Sequence, residues 1–129
     1  VRADDATTAA ITALIDETYS AIAAGADTYS FFSHPEMSVA GSELGELHYG
    51  PGDVSMLVRG AQMQGLSFVR DAVTIWQEGD VAWAQILGKV ITKVGDSSVS
   101  SDYWTTAVFV RDGSGWHWRY WGGSEPTTH

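Results

Sequence analysis

Apolar residues return every three or four positions between Ala6 and Ala24, at Ile11, Leu14, Ile15, Tyr19, Ile22 and Ala23. This period predicts an amphipathic helix with one buried face. Asp4, Asp5, Thr7 and Thr8 offer capping groups at its start, and Gly25 offers a stop. Asp27 is placed to cap a second, short helix carrying Tyr29, Phe31 and Phe32. That helix should end near His34, because Pro35 disfavours helical geometry in the residue before it. Met37–Gly41 reads as a short strand, and the glycine-punctuated SELGELHYGPG after it as a loop with some extended character. A third helix is predicted within Gly50–Gly65. Pro51 suits its first turn, Asp53 its N-terminal dipole, and Val54, Leu57, Val58 and Ala61 its apolar face; Gly60 weakens it.

After Gly65 the pattern changes to β-prone runs: Leu66–Gln77, Val81–Val94, Val99–Arg111 and Trp116–Ser124. The turns between them, Glu78–Asp80, Gly95–Ser97 and Asp112–Gly115, are too short for crossover helices, so the strands should meander antiparallel. Helices followed by a long curled antiparallel sheet define an α+β chain. A bent sheet wrapped over helices leaves a cavity at its open end. About three helices cannot cover both faces of such a sheet, which points to a homodimer through the other face.

Composition narrows the function classes. The chain has 129 residues, suited to one domain over 1–129, and its 44% hydrophobic content with six Trp, five Tyr and four Phe supplies a core. There is no cysteine, which removes disulfides and thiolate metal sites. Sixteen acidic residues against seven basic ones give a net charge of -9, and the basic residues are scattered, which argues against nucleic acid as a partner. No apolar run reaches membrane-spanning length, no secretory signal is present, and the cytoplasm is the expected location. No phosphate loop, dinucleotide fingerprint or nucleophile elbow occurs, and no His–acid set has metal-ligand spacing. Neither cofactor nor metal is expected.

The end of the chain, TTAVFVRDGSGWHWRYWGGS, carries a Thr-bearing strand, an acidic-glycine turn and Gly-Trp, matched through Thr106, Val108, Gly115, Trp116 and Ser124. Together with the hairpin GDVAWA at Gly79–Ala84 and the loop SVAGSELGELHYG, it resembles the SnoaL-like members of the nuclear transport factor two-like superfamily. The resemblance covers nearly the whole chain. It implies a cystatin-like, cone-shaped α+β roll with helices packed on a strongly curved antiparallel sheet, a pocket between them, and a dimer. It does not imply a reaction, since relatives include ketosteroid isomerases, polyketide cyclases, epoxide hydrolases, dehydratases and plain binding or assembly domains. Gly122 stands where many relatives keep a histidine, and Trp104 where many have Arg or another polar residue. Both departures favour an apolar ligand, or none.

Strand alternation sorts the aromatic end, provided that no bulge intervenes. Trp116, Trp118, Tyr120, Gly122 and Ser124 share one side, which the resemblance turns toward the helices; Asp102, Trp104, Thr106, Val108 and Val110 are the matching side of the strand before. Trp116 is then core, while Trp104 and Trp118 are candidate pocket walls. Tyr49, Phe32 and His34 are further ligand-binding candidates, with His48 in the same loop and Glu43 and Glu46 on its lip. Asp102, on an otherwise apolar strand, is the candidate acid or base, and Tyr120 or Tyr19 the candidate hydrogen-bond donor. His117, Arg119 and Trp121 point the other way, toward a dimer surface that Trp83 and Gln85 extend. His129 should be frayed at the chain end.

Three functions fit these residues. The main one is a binding domain with an aromatic pocket for a small apolar or aromatic molecule. The second is a cofactor-independent acid–base enzyme, acting as isomerase, dehydratase, cyclase or hydrolase. The third is a homodimeric assembly module with a vestigial pocket.

Overall fold

The computed structural model describes residues 1–127, so His129 lies outside the described residues. Helix α1 spans Asp5–Ala23. The Asp4 carboxylate accepts from the Thr7 N–H at 2.8 Å, which caps the start of the helix and lowers the Asp4 pKa. The end is closed by Gly25 at φ 70°, whose N–H donates to the Ile22 carbonyl while Ala26 reaches Ala21. The predicted second helix is a single 3₁₀ turn, Tyr29–Phe32, opened by an Asp27 side-chain hydrogen bond to the Tyr29 N–H. Two short strands follow, β1 (Ser38–Ala40) and β2 (Leu47–Tyr49), then helix α2 (Pro51–Met63). Four long strands complete the chain: β3 (Leu66–Glu78), β4 (Val81–Val94), β5 (Ser97–Asp112) and β6 (Gly115–Ser124).

The six strands form one sheet in the order β2-β1-β6-β5-β4-β3. The meander β3 to β6 is antiparallel as expected, but β1 runs parallel to β6, so the sheet is mixed. The resulting α+β roll packs α1, α2 and the 3₁₀ turn on one face of the sheet, around a core that includes Ile11, Ile15, Ile22, Phe32, Ile86, Phe109 and Trp118. The α1 contact is pinned by polar groups as well. Trp118 Nε1 donates to Thr18 Oγ1 at 2.9 Å, and Thr18 donates to the Leu14 carbonyl at 2.7 Å, so both the indole N–H and the Thr18 hydroxyl are satisfied in the core. Arg70 on β3 grips Asp16 on α1 through two hydrogen bonds of 2.7 and 2.8 Å, and this contact holds the Asp16 carboxyl below its ordinary range.

Two irregularities shape the sheet. In β3 the register shifts between Arg70 and Ala72, with Asp71 as the extra residue; Gly88 on β4 lies opposite. In β6 Phe109 pairs with Trp118 but Val108 pairs with Tyr120, so Arg119 is the extra residue. This second bulge overturns strict alternation along the aromatic end. Trp118 and Trp121, three apart, are both buried on the helix side, stacked at 26° with ring centroids 5.2 Å apart.

The side assignment of β5 is also corrected. Tyr103, Thr105, Ala107 and Phe109 face the helices, while Asp102, Trp104, Thr106, Val108 and Val110 face outward. On β4 the inward residues are small or aliphatic, Ala82, Ala84, Ile86 and Val90, and the outward ones include Trp83 and Leu87. The bulky side chains of this hairpin therefore lie on the face that the helices leave uncovered.

Candidate functional site

A cavity of about 360 Å³ opens between the inner face of the sheet, α2, the 3₁₀ turn and the loop joining β1 to β2. Four aromatic rings line it. Phe32 comes from the 3₁₀ turn, Phe68 from β3, Tyr103 from β5 and Trp121 from β6. Their positions are mutually fixed: Phe68 lies 4.9 Å from Tyr103 and 5.2 Å from Trp121, centroid to centroid, and Trp121 Nε1 donates to the Tyr103 hydroxyl at 3.3 Å. Leu57 and Val58 of α2, Leu66, Val39 and Val90 complete the apolar wall. Gly123 makes room for the phenol, because a Cβ there would lie 1.9 Å from the Tyr103 oxygen.

The mouth is acidic. Glu43, Glu46 and Glu125 line it together with Ser42, Ser101, Thr92 and Gln64, and among the described residues no Lys, Arg or His does so. The loop is held in shape by its own groups: Gly41 N–H donates to the Glu46 carbonyl at 2.7 Å, Glu43 N–H to Glu46 Oε1 at 2.9 Å, and Ser42 to Glu125 at 3.1 Å. Gly41 is required for this packing, since a Cβ would meet the Glu46 side chain at 2.4 Å. Burial pushes the Tyr103 phenol pKa up, and the Glu46 and Glu125 carboxylates add to the rise. Tyr103 therefore stays a neutral donor beside the cavity at ordinary pH.

The residues singled out in the sequence divide between the cavity and other places. Phe32 lines the cavity, as do Glu43 and Glu46. Trp118 is fully buried one layer behind it, and Tyr19 packs against Phe68 and Trp121, its hydroxyl 3.3 Å from Thr105 Oγ1. Burial drives the Tyr19 phenol pKa far upward, so it too is a neutral group of the core. Trp116 is partly buried against the core with Arg111 stacked 4.9 Å above its ring.

Asp102 is on the outer face, its side chain 64% exposed and paired with Lys89 at 2.8 Å. In that position it is not an acid or base for the cavity. Trp104 and Tyr120 share the outer face, Trp104 at 48% exposure, and neither touches the cavity. Tyr49 projects from the edge strand β2 and is exposed. His34 closes a local turn by accepting from the Glu36 N–H, and His48 contacts Asp53 at 3.1 Å.

The expected dimer residues separate in the same way. Trp83 and Gln85 do lie on the outer face, whereas Trp121, 6% exposed, is a cavity wall. Arg119 turns back to the Glu36 carbonyl and carboxylate. His117 lies beside the β5–β6 turn with Asp112 and Ser114. That trio brings together the residue types of a catalytic triad without its geometry. Ser114 and Asp112 both address the same imidazole nitrogen, Nε2, at 2.9 and 3.0 Å, so no base is oriented through its other nitrogen. Its role is to cap the turn, and the Ser114 and His117 hydrogen bonds hold the Asp112 carboxyl down at about 2.

Sequence reading missed Tyr103, Phe68 and Trp121 as the aromatic walls. The available signal was the Tyr103–Thr105–Ala107–Phe109 alternation, which competes with an equally apolar set one residue out of phase.

A model of the SnoaL-like domain matches residues 11–128, and the chain belongs to that family. Solved structures share the fold across nearly the full chain. A candidate dehydratase of the NTF2-like family from Streptomyces avermitilis has a TM-score of 0.86 at 17% identity, over 96% of this chain and 99% of that one. A candidate aromatic ring hydroxylase from Novosphingobium aromaticivorans has 0.85 at 13%, over 98% and 94%. An NTF2-like protein of unknown function from Pseudomonas putida has 0.82 at 16%, over 99% and 92%. At these identities the likeness concerns the fold. Comparison with curated proteins gave no match. Among the described residues no helix is long and apolar enough to cross a membrane.

Proposed function

We propose that this chain is a small-molecule-binding domain whose cavity takes a ligand with an apolar or aromatic body. The observation that supports this reading is the cavity of about 360 Å³ walled by Phe32, Phe68, Tyr103 and Trp121. Rings fixed in tilted and edge contacts offer a flat ligand both buried area and oriented ring contacts. The hydroxyl of Tyr103 is the polar group best placed to orient such a ligand. An acid–base reaction has less support: of the groups expected to carry it, Asp102 and Tyr120 lie on the opposite face of the sheet, and the Tyr19 hydroxyl is buried in the core against Thr105.

The test is to fill the cavity from the helix side. Val58 lines it from α2 and is only half-buried, so Val58→Trp places an indole in the void without cutting into the sheet. Pocket density in crystals of natively expressed protein, or quenching of Trp emission by an aromatic probe, is expected for the unaltered chain. Val58→Trp should lower probe affinity by at least about tenfold with thermal stability retained. Equal affinity in both proteins would overturn the reading.

We also infer that a second copy covers the outer face. Register pairs Trp83 with Val108 and Leu87 with Trp104, giving two apolar pairs on either side of the Gln85–Thr106 pair, in which Trp83, Leu87 and Trp104 are 37, 43 and 48% exposed. With strands ~4.8 Å apart and a rise of ~3.3 Å per residue, the four long strands present a face on the order of 800 Å². A standard interface buries roughly 800 Å² per partner. The double variant Trp83→Glu/Trp104→Glu is expected to sediment as a monomer where the unaltered chain sediments as a dimer. A monomeric unaltered chain would dismiss the assignment.

A further inference from the structure

The cavity contains one chemical asymmetry that the binding reading leaves unused. Its interior is aromatic and aliphatic, and among the described residues every ionisable side chain at its mouth other than the Tyr103 phenol is a carboxylate. Glu43, Glu46 and Glu125 form no ion pair among the described residues. Of the acids elsewhere, Asp16, Glu36, Asp80 and Asp102 each face a Lys or Arg and Asp53 and Asp112 a His; the mouth differs in gathering three unpaired carboxylates around one cavity. None of the seven Lys and Arg residues lines the cavity, so among the described residues the charge at its mouth is negative without a facing cation.

The carboxylates alone would be a solvated rim. Above the aromatic cavity they bias what enters it. An anion meets like charge at the entrance and finds no donor pair inside to replace its hydration. A neutral molecule gains only burial. A cation gains attraction from the rim carboxylates and from the faces of the Trp121, Tyr103 and Phe68 rings that line the cavity, since ring faces attract a cation held within about 6 Å of their centroid.

We propose that the ligand is an organic cation, a protonated or quaternary amine on an apolar or aromatic body. Its ammonium group lies between the ring faces and the Glu46 and Glu125 carboxylates, with Glu43 at the entrance. Its body occupies the wall formed with Leu57 and Leu66. Glu46 is the principal counter-charge, since it is the least exposed of the three and is fixed against Gly41 and the Glu43 N–H. This assignment rests on the cavity being a binding site.

The experiment uses a matched set of probes against the full chain, read by calorimetry and Trp emission: benzyltrimethylammonium, its carbon isostere neopentylbenzene, and 4-phenylbutyrate. The cation should bind at least about tenfold more tightly than the neutral isostere, with an affinity that falls as salt rises, and the anion should bind most weakly. In Glu46→Gln/Glu125→Gln the cation should lose about tenfold while the isostere is unaffected, a loss that misfolding would not confine to one probe. Equal binding of cation and isostere, or an unchanged preference in the double variant, overturns the charge assignment and leaves the binding reading standing. No binding by any probe, with Trp emission unchanged throughout, overturns both.

Discussion

Gly88→Ala is expected to destabilise the protein by about 3 kcal/mol or more, the upper end of what overpacking costs. A Cβ at this position would lie 1.8 Å from the Val69 carbonyl oxygen and 3.0 Å from its carbon. Both are main-chain atoms of β3, so no rotamer change can relieve the clash. They come so near because β3 bends over β4 at the Asp71 bulge, with Gly88 beneath the bend. The same bend directs Phe68 into the cavity and Arg70 toward Asp16. Urea unfolding should show a lower midpoint, and Tyr103 and Phe68 should lose their mutual contact before the α1 end of the core opens. An unchanged midpoint would mean that the bend can be flattened without loss. Gly123→Ala is a useful contrast, because its Cβ meets a side chain, the Tyr103 phenol, and so displaces a cavity wall where Gly88→Ala strikes main chain.

Trp121→Ala is expected to cost about 3–5 kcal/mol, the range for truncating a buried large aromatic. Trp121 touches Tyr19, Phe32, Phe68 and Trp118, and donates to the Tyr103 hydroxyl. Truncation removes these contacts and enlarges the cavity. The sedimentation coefficient should nevertheless keep the value of the unaltered chain wherever folded protein remains, since Trp121 faces the helices. Loss of subunit association without loss of stability would restore the interface role that strand alternation assigns to this residue. Probe affinity should fall with stability, because the residue is wall and core together.

The contrast between these two positions shows which features were legible in the sequence. Period and punctuation located α1, α2 and the four long strands to within a residue or two, because capping, glycine stops and short turns are local effects. The pairing of β1 with β6 is long-range and parallel, and no local pattern encodes it. The short helix after Asp27 became a 3₁₀ turn, its end still set before Pro35. Family resemblance identified the fold, yet the sides of β5 and β6 came out wrong for physical reasons. Apolar residues occupy both faces of β5, so the rule that apolar residues point inward cannot choose between Trp104 and Tyr103. In β6 the phase is correct through Trp118 and then reset by Arg119, an extra residue with no sequence signature. Asp102 and Tyr120 go to the outer face with the strands that carry them, whereas Phe32 lies on the cavity because its short helical turn is set by local signals. Phe68 sits on a strand where alternation alone does not distinguish cavity from core.

The Arg119 bulge bears on how such a cavity can diversify. Before it, each residue of β6 has a side determined by parity from Gly115; beyond it, parity is inverted. Deleting Arg119 would remove the extra residue and restore plain alternation, with Trp118, Trp121 and Gly123 still on the cavity side. Ironing the bulge out at unchanged length would instead turn Tyr120 and Gly122 inward. This wall can therefore lose one residue at Arg119 and keep its cavity-facing side chains, whereas the same loss elsewhere in β6 would invert them.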